Sequence, residues 1–444
     1  MSGDVVVAPA TARGLAALAV VRLSGDGVVD VVARVARPRV ASAPAFGRQV
    51  RVDFFDELGV FDDGTCVLGR APRTFTGEDT AELTCHGAPL VVDRLVAALV
   101  RAGARLAEPG AFTRRAMASG KVDLVAAEGV LALGAARSRR GLSVTRSAID
   151  GRLSAFLHDQ RASLLTCAAE LEARLDYPGD ELALEDDEVV AGRLRAVARA
   201  CDEVAARWAP GRIAVEGARV ALVGAVNAGK SSLFNALVGA PRALVHSSPG
   251  TTRDVVSERV ALGPFEVTLF DTAGERVTDD PVEAAGQALS AQWVARADVL
   301  VVVLRATPGG PSEVERALLA RTDGRQRVVV LNGVDAPHGP IDGAISTIAP
   351  DGVGVAEVAR AVTDALVAIG EVGDDLSVTS GRQHDRLCAT ARAAEDAAGA
   401  LPFAGPAVAA SLVVEGLAAL DELEGRVVRE QVLDALFARF CIGK

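Results

Sequence analysis

The spacing of hydrophobic and polar positions changes twice along the chain. Up to about residue 118, short apolar runs such as LAVVRLSG and DTAELTCHG are separated by amphipathic segments such as PLVVDRLVAALVRAG. Alternation and β-branched residues are typical of strands, whereas a spacing of three and four residues is typical of helices. This part of the sequence therefore predicts an α+β domain over residues 1–118.

Longer helical patterns follow over residues 119–213. Three segments carry apolar residues at helical spacing: LVAAEGVLALGAARS, LSAFLHDQRASLLTCAAELEARLD and VVAGRLRAVARACDEVAARWA. An acidic stretch, YPGDELALEDDE, interrupts them. We predict a helical bundle here, and residues 373–444 return to the same helical pattern.

Between the two helical parts, residues 214–372 alternate strand and helix patterns. The apolar runs are RVALVG, FEVTLFDTAG, DVLVVVL, RVVVLNG and a weaker GAISTIA. Near-continuous apolar strands alternating with helices indicate a largely parallel sheet covered by helices on both faces. The pattern predicts an α/β domain inserted into an α-helical domain.

The net charge limits how this protein could bind nucleic acid. A formal charge of −11 over 444 residues argues against a protein that coats nucleic acid by bulk charge. Any contact with nucleic acid must use a local patch, for which ARSRRGLSVTRSAIDGR is the candidate and a solvated helix face the alternative. Its basic residues are Arg137, Arg139, Arg140, Arg146 and Arg152.

The remaining bulk features favour a cytoplasmic protein. Asp4 and Arg13 interrupt the apolar start of the chain, which does not resemble a signal peptide, and no apolar run reaches the length of a membrane helix. The six cysteines lack the paired spacing of a zinc site, so we expect reduced thiols. They are Cys66, Cys85, Cys167, Cys201, Cys388 and Cys441.

The sequence GAVNAGKS, at 224–231, lies between a strand pattern and a helix pattern. It matches GxxxxGKS, in which glycines let backbone N–H groups surround the α- and β-phosphates of a nucleotide. Lys230 would reach the β- and γ-phosphates, and the Ser231 hydroxyl would bind Mg²⁺. The predicted nucleotide contacts are Gly224, Asn227, Ala228, Gly229, Lys230, Ser231 and Ser232.

Two further motifs follow in the order expected for a nucleoside-triphosphate hydrolase. In SSPGTTRDVV, Thr252 can complete the Mg²⁺ shell when the γ-phosphate is present. In LFDTAGE, Asp271 can hold Mg²⁺ through water, and the Gly274 amide can meet the γ-phosphate. The nucleotide contacts predicted in these motifs are Ser248, Thr251, Thr252, Asp271, Thr272, Ala273 and Gly274.

The run VVVLNGVD supplies the base-reading residues in part. In GTPases an NKxD motif reads guanine, and Asn332 and Asp335 stand at the matching spacing. Gly333 occupies the Lys position, so we predict guanine selectivity through Asp335 with weakened affinity. The Ser-Ala expected near a final strand is represented only by Ser346 and Thr347, and we assign the base contact to Ser346.

Taken in order, these motifs and their flanks resemble the tRNA-modification GTPase family known as MnmE or TrmE. The matching strings include PATARG, VVRLSG, FTGEDTAELTCHG, EPGAFTRRAMASGKVDLVAAEGV and the terminal FCIGK. The resemblance implies an α/β P-loop GTPase domain inserted into an α-helical domain, preceded by an α+β folate-binding domain that also forms a homodimer. It implies action with a flavoprotein, MnmG or GidA, to place a 5-carboxymethylaminomethyl-type group on the wobble uridine of certain tRNAs.

The resemblance also implies a tetrahydrofolate site. The matching positions are Arg22, Glu82, Lys121 and Lys444, and the ligand would be a 5-formyl or 5,10-methylene derivative. A carboxylate can pair with the amide and amino edges of a pterin ring, and cations suit the glutamate tail. Cys441 can act as a thiolate near the folate or the uridine, or it can be a buried cysteine in a packed C-terminus.

For hydrolysis, the resemblance implies that a potassium ion replaces an arginine finger when two G domains meet. Asn227 would bind the ion by its side chain, and the other matching positions are His246, Ser248 and Thr251. Glu283 would orient the attacking water indirectly, although it can equally be an ordinary helix carboxylate. Val226 departs from the family pattern, in which proline precedes the asparagine.

Two other functions share part of this pattern. A ribosome-assembly GTPase like Era has similar TTRD and DTAG motifs, but FCIGK and EPGAFTRRA argue against it. A nucleotide- and folate-binding scaffold with little turnover is favoured by Gly333 and opposed by Asp335 and Glu283.

Overall fold

The computed structural model describes residues 4–39, 46–136, 138–176, 185–239, 256–272, 292–336, 338–339, 341–370, 376–427 and 430–443. The chain divides into two compact units. The first consists of Met1–Leu131, Ala148–Ala198 and Ala389–Lys444, and the second of Ala132–Ser147 and Arg199–Cys388. Among the described residues, no helix has the length and apolar character needed to span a bilayer.

The first unit begins with a seven-stranded sheet, which confirms the predicted α+β architecture. The strand order is β3-β4-β5-β6-β2-β1-β7, and every pair is antiparallel except β1 with β7. Its core contains Phe54, Leu83, Leu95 and Leu99, all fully buried. The elements are β1 Val6–Pro9, β2 Leu18–Ser24, α1 Val28–Ala33, β3 Ala36–Pro38, β4 Gln49–Asp56, β5 Gly59–Gly69, β6 Thr80–His86, α2 Pro89–Arg101, β7 Arg105–Leu106 and α3 Ala111–Ala118.

Long helices follow, as the periodicity predicts. They are α4 Leu124–Ala135, α5 Arg139–Ile149, α6 Arg152–Asp176, α7 Asp187–Ala205 and α8 Trp208–Glu216. The predicted continuous helix through Ala209 is wrong, because α7 ends at Ala205 and a new helix starts at Trp208. Pro210 has no N–H to bond the carbonyl of residue 206, so it fits only the first turn of a helix.

The second unit contains a six-stranded sheet of order β13-β12-β11-β8-β10-β9. All neighbouring strands run parallel except β9, which pairs antiparallel with β10. The largely parallel sheet is thus confirmed, and β9 is a strand that the sequence pattern did not indicate. The elements are β8 Ala218–Val223, α9 Lys230–Val238, β9 Val256–Leu262, β10 Phe265–Asp271, β11 Val299–Arg305, α10 Glu313–Arg321, β12 Arg327–Asn332, β13 Ile345–Thr347 and α11 Val355–Ala368.

Both faces of this sheet are buried. Along β8, Val220 and Leu222 enter one core with α9 and α11, whereas Ala221 and Val223 enter the core on the opposite face. Successive side chains of a strand point to opposite faces, so the apolar run at 220–223 supplies both cores.

The C-terminal segment is helical, as predicted. It comprises α12 Gly381–Ala404, α13 Pro406–Glu424 and α14 Glu430–Phe437. In the first unit, α13 packs along α6, where a Cβ on Gly416 would lie 3.4 Å from Leu164 Cδ1. Arg161 Nε donates to Asp421 Oδ1 at 2.6 Å across the same pair of helices.

Candidate functional site

The glycine-rich loop at 224–229 joins the end of β8 to the start of α9. Its two glycines are required for different reasons. A Cβ on Gly224 would lie 2.3 Å from the Val303 carbonyl oxygen, and Gly229 has φ 92° with no room beside the Asn332 side chain. Asn227, with φ 63°, is the sole non-glycine residue at positive φ within the described ranges. Asparagine tolerates this conformation better than most residues.

Lys230 lies beneath this loop. Its side chain is buried, and Nζ donates to the carbonyl oxygens of Gly224 at 3.1 Å and Ala225 at 2.9 Å. Lys230 also begins α9, whose N-terminal amides and dipole favour an anion. Ser231 and Ser232 are exposed on the first turn of the same helix. The loop therefore combines backbone amides, an ammonium group and hydroxyls at the start of α9, which suits a phosphate chain.

Asn332 connects the loop to the end of the sheet. Its Nδ2 donates to the Ala228 carbonyl oxygen at 3.2 Å. Its Oδ1 accepts hydrogen bonds from Thr347 Oγ1 at 3.1 Å and from the Ala349 amide at 3.2 Å. All three bonds are buried, so Asn332 fixes the position of the loop at 224–229 relative to the segment at 347–349. The sequence pattern named Thr347 only as part of the degenerate Ser-Ala motif, with the base contact assigned to Ser346, and did not indicate its bond to Asn332.

Asp271 and Thr272 stand at the same edge of the sheet. Thr272 Oγ1 donates to the Leu222 carbonyl oxygen at 2.6 Å and ties the end of β10 to β8. Asp271 Oδ1 is buried and, among the described residues, has no hydrogen-bond partner. A desolvated carboxylate oxygen without a partner is costly unless a cation or water completes it. The oxygen donors Asp271 and Ser231 fit Mg²⁺, which prefers such ligands.

The base-reading positions lie beyond β12. Gly333 has φ 82°, and the Asp335 side chain, with Oδ1 3.9 Å from the position of a Cβ on Gly333, is exposed. The Gly333 amide donates to the Thr347 carbonyl oxygen at 2.8 Å, which joins this turn to β13. Ser346 is exposed, whereas Thr347 beside it is fully buried.

Several predicted site residues lie outside the described residues. They are His246, Ser248, Thr251, Thr252, Ala273, Gly274, Glu283 and Lys444.

In the first unit, Arg22 and Glu82 are cross-strand neighbours on β2 and β6. Arg22 Nε and Nη2 both donate to Glu82 Oε1, at 3.0 Å and 2.7 Å. They line a cavity of about 460 Å³ that Phe75 and Thr113 also line. The structure thus brings together two of the positions assigned to folate.

The cavity wall formed by residues 74–78 is held by hydrogen bonds. Ser24 Oγ lies 2.7 Å from Thr76 Oγ1 and donates to Glu78 Oε2 at 2.8 Å. Arg115 Nη1 donates to the same Glu78 oxygen at 2.7 Å. Lys121, the third folate position, is exposed and has Cε 3.5 Å from the position of a Cβ on Gly77 in this wall.

The C-terminal tail packs on the N-terminal sheet. Phe440 is buried, and a Cβ on Gly443 would lie 2.2 Å from the Pro9 carbonyl oxygen at the end of β1. Cys441 between them is exposed, which disagrees with the alternative of a buried cysteine. By contrast, burial raises the pKa of the Cys66 thiol to about 11 and of the Cys201 thiol to about 12.

Two surface groups complete the description. Asp62 Oδ1 lies 2.7 Å from His86 Nδ1, and this hydrogen bond raises the pKa of His86. Asp63 lies close to both but pairs with Arg39 at 3.3 Å.

In the proposed basic patch, Arg139, Arg140 and Arg146 lie exposed on α5 and Arg152 begins α6, while Arg137 lies outside the described residues.

A glycine-rich loop between a strand and a helix, at the carboxyl edge of a parallel sheet, defines a P-loop nucleotide-binding domain. Residues 5–121 match the family model described as the GTP-binding protein TrmE N-terminus, and residues 124–441 match that of the MnmE helical domain. The chain belongs to the MnmE family.

Curated relatives are similar to this chain over nearly its whole length. The tRNA modification GTPase MnmE of Synechococcus sp. (strain CC9605) is 38% identical over 449 residues, which cover 99% of this chain and 98% of the relative. That of Roseiflexus sp. (strain RS-1) is 36% identical over 463 residues and 99% of each chain. Among solved structures, the G domain of the T. maritima FeoB iron transporter matches 33% of this chain and covers 98% of its own chain, at 21% sequence identity. Its TM-score of 0.27 is too low to support an assignment.

Proposed function

We propose that this protein hydrolyses GTP in the modification of the wobble uridine of tRNA. The observation that carries the proposal is the P-loop geometry: Lys230 is buried under the loop, and an Asp271 oxygen that has no hydrogen-bond partner among the described residues lies at the same edge of the sheet. Full-length identity to proteins named tRNA modification GTPase supports the tRNA substrate class.

In this proposal the loop amides and Lys230 bind the phosphates of GTP. Ser231, Thr252 and Asp271 hold Mg²⁺, which would neutralise charge on the β- and γ-phosphates. Asp335 reads guanine, and Asn332 keeps the loop in its binding shape through the Ala228 carbonyl. With glycine in place of lysine at position 333, the protein would cover less of the guanine base, so we expect weak guanine-nucleotide affinity.

Potassium stimulation remains part of the proposal. Asn227 is exposed in the left-handed conformation within the loop, where its side chain can reach a cation beside the phosphates. A monovalent cation at this point would stabilise the charge that develops during phosphoryl transfer. Glu283 would orient the water, and the proposed arrangement brings two G domains of a homodimer together.

The cavity beside Arg22 and Glu82 is the proposed folate site. It offers a carboxylate held by an arginine, an exposed aromatic ring at Phe75 and hydroxyl groups, a chemistry that suits a pterin ring. Lys121 lies near one wall for the glutamate tail, and Cys441 is exposed and available as a nucleophile. We propose that the folate donates the carbon unit and that a flavoprotein of the MnmG type is the partner, in the cytoplasm.

The same proposal assigns four segments. Residues 1–118 bind folate and dimerise, 119–213 and 373–444 form the helical domain, and 214–372 form the GTPase domain. The first sheet ends with β7 at Leu106 and the second runs from β8 at Ala218 to β13 at Thr347, so each sheet lies within one proposed segment, which supports this division.

The test is GTP hydrolysis by the full-length protein in potassium and in sodium buffer. We expect faster turnover in potassium, abolished in Asn227→Ala and retained in Asn235→Ala, which removes an exposed asparagine from α9. Mass spectrometry of wobble nucleosides from a bacterial strain that lacks its own MnmE but carries this protein tests the tRNA step. Nucleotide binding without turnover in either salt would favour the scaffold alternative instead.

A further inference from the structure

The lining of the first-unit cavity carries a charge that the protein does not balance. Among the described residues, the charged side chains that line the cavity are Arg22, Glu82 and Arg73. Arg22 Nε and Nη2 both donate to Glu82 Oε1, so these two opposite charges compensate each other. Arg73 is exposed, and its side chain makes no hydrogen bond or ion pair within the part of the chain that the structure describes. The described lining therefore has a surplus of positive charge, which favours an anionic ligand.

Hydrogen bonds hold the backbone that carries Arg73. The Arg73 amide donates to the Arg70 carbonyl oxygen at 3.0 Å, and the Ala71 amide donates to Asp79 Oδ1 at 2.8 Å. The next residues, 74–78, form the hydrogen-bonded wall of the cavity. None of these bonds uses the Arg73 guanidinium. A fixed backbone reduces the entropy lost when a ligand orders the side chain, so Arg73 is well placed to bind one.

Arg73 and Glu82 lie at different positions along the strands that border the cavity. β5 ends at Gly69, which pairs with Thr80 of β6, and Arg73 lies in the connection between these two strands. Glu82 lies two residues further along β6, about 7 Å from Thr80 at the rise of a strand. The cavity therefore presents a carboxylate inside the sheet and a cation at the strand ends. The ligand that suits it has hydrogen-bond donors in one part and an anionic group in another.

We propose that Arg73 binds a carboxylate of the glutamate tail of the reduced folate in this cavity. A guanidinium can donate two parallel hydrogen bonds to one carboxylate, so it holds that group in a defined orientation. Lys121 lies near the wall but is not part of the described cavity lining, so Arg73 is the unpaired cation that the cavity itself presents. The inference rests on the proposed folate function of the cavity and adds the residue that recognises the tail.

The experiment titrates the full-length protein by calorimetry with 5-formyltetrahydrofolate and with its diamide, in which both glutamate carboxylates are amides. Wild type should bind the carboxylate form more tightly than the diamide. Arg73→Gln should weaken binding of the carboxylate form about tenfold, as for one charge-assisted hydrogen bond. It should change binding of the diamide less than about twofold. Without ligand, the variant should unfold at the wild-type temperature, because the Arg73 side chain is exposed and loses no hydrogen bond or ion pair to the described residues.

Arg70→Gln is the matched control. Arg70 is an exposed arginine on the same connection, but it is not part of the described cavity lining, and its Cζ lies 4.5 Å from the centre of the Phe46 ring. This change removes the same charge and should leave both affinities unchanged. If Arg73→Gln binds the carboxylate form as tightly as wild type, weakens the diamide equally, or is matched by Arg70→Gln, the Arg73 contact is wrong and the folate site stands. If wild type binds neither form, the proposed folate function fails and this inference fails with it.

Discussion

Replacement of Asn332 by alanine tests whether this residue holds the nucleotide loop in shape. The change removes three buried hydrogen bonds, to Ala228, Thr347 and Ala349, at 3.1 to 3.2 Å. Each net bond is worth about 1 kcal/mol, and a buried group left unbonded costs about 1–3 kcal/mol. Because water can enter the space left by the side chain, we take the lower figure for each bond. The sum is about 3 kcal/mol of local stability.

Hydrogen–deuterium exchange on the full-length protein measures this loss where it occurs. The Ala349 amide donates to the Asn332 side chain, so peptides over residues 345–352 report that bond directly. We expect exchange there, and over 224–233, to accelerate by at least tenfold, which corresponds to about 1.4 kcal/mol. Affinity for GDP, measured by fluorescence titration, should fall at least tenfold because the loop is no longer preorganised.

Peptides from β11, in the centre of the sheet, should exchange at the wild-type rate. Asn235→Ala, which truncates an exposed asparagine on α9, should change neither exchange nor GDP affinity measurably. Accelerated exchange confined to 345–352, with wild-type GDP affinity, would refute the idea that Asn332 transmits order to the loop.

Substitutions at three other positions test separate parts of the structure. Asp271→Asn should raise the Mg²⁺ concentration needed for half-maximal GTP hydrolysis at least tenfold, roughly the loss of one charge-assisted contact. It should not lower the unfolding temperature, because Oδ1 has no hydrogen-bond partner among the described residues. An unchanged Mg²⁺ requirement would contradict this prediction. Gly333→Ala and Gly333→Lys should each cost about 1–2 kcal/mol in denaturant unfolding, since φ is 82°. The lysine variant should bind GDP more tightly than the alanine variant, and equal binding would argue against a missing base cover. His86 should lose its stabilising contribution as pH rises: Asp62 raises its pKa above the usual 6.5, so the contribution is complete below 6.5 and disappears above the raised pKa. Wild type should therefore lose more unfolding temperature than His86→Gln as the pH rises from about 6 through the raised pKa, and parallel pH profiles would exclude the pair as the cause.

Local patterns in the sequence were sufficient for much of the fold. The near-continuous apolar runs of β8 and β11 indicated strands buried on both faces, and their side chains do enter two separate cores. The glycines at 224 and 229 indicated a tight loop before a helix, and both positions leave no room for a Cβ. These features are readable because periodicity and backbone conformation depend on residues that are neighbours along the chain.

Contacts between distant segments were decided by the tertiary structure. Nothing in the spacing showed that Thr347 would bond Asn332, that Arg22 would take Glu82 as its partner, or that the Thr113 hydroxyl would be buried without a partner among the described residues. Such pairs depend on strand order and register, which bring together residues far apart in the chain, such as Arg22 and Glu82 at a separation of 60 positions. The sequence by itself determined most of the elements, though not β9 or the break between α7 and α8, and where the phosphate loop lies. Only packing determined which polar groups are satisfied within the protein and which are left for a ligand, because burial and partners arise when the elements meet.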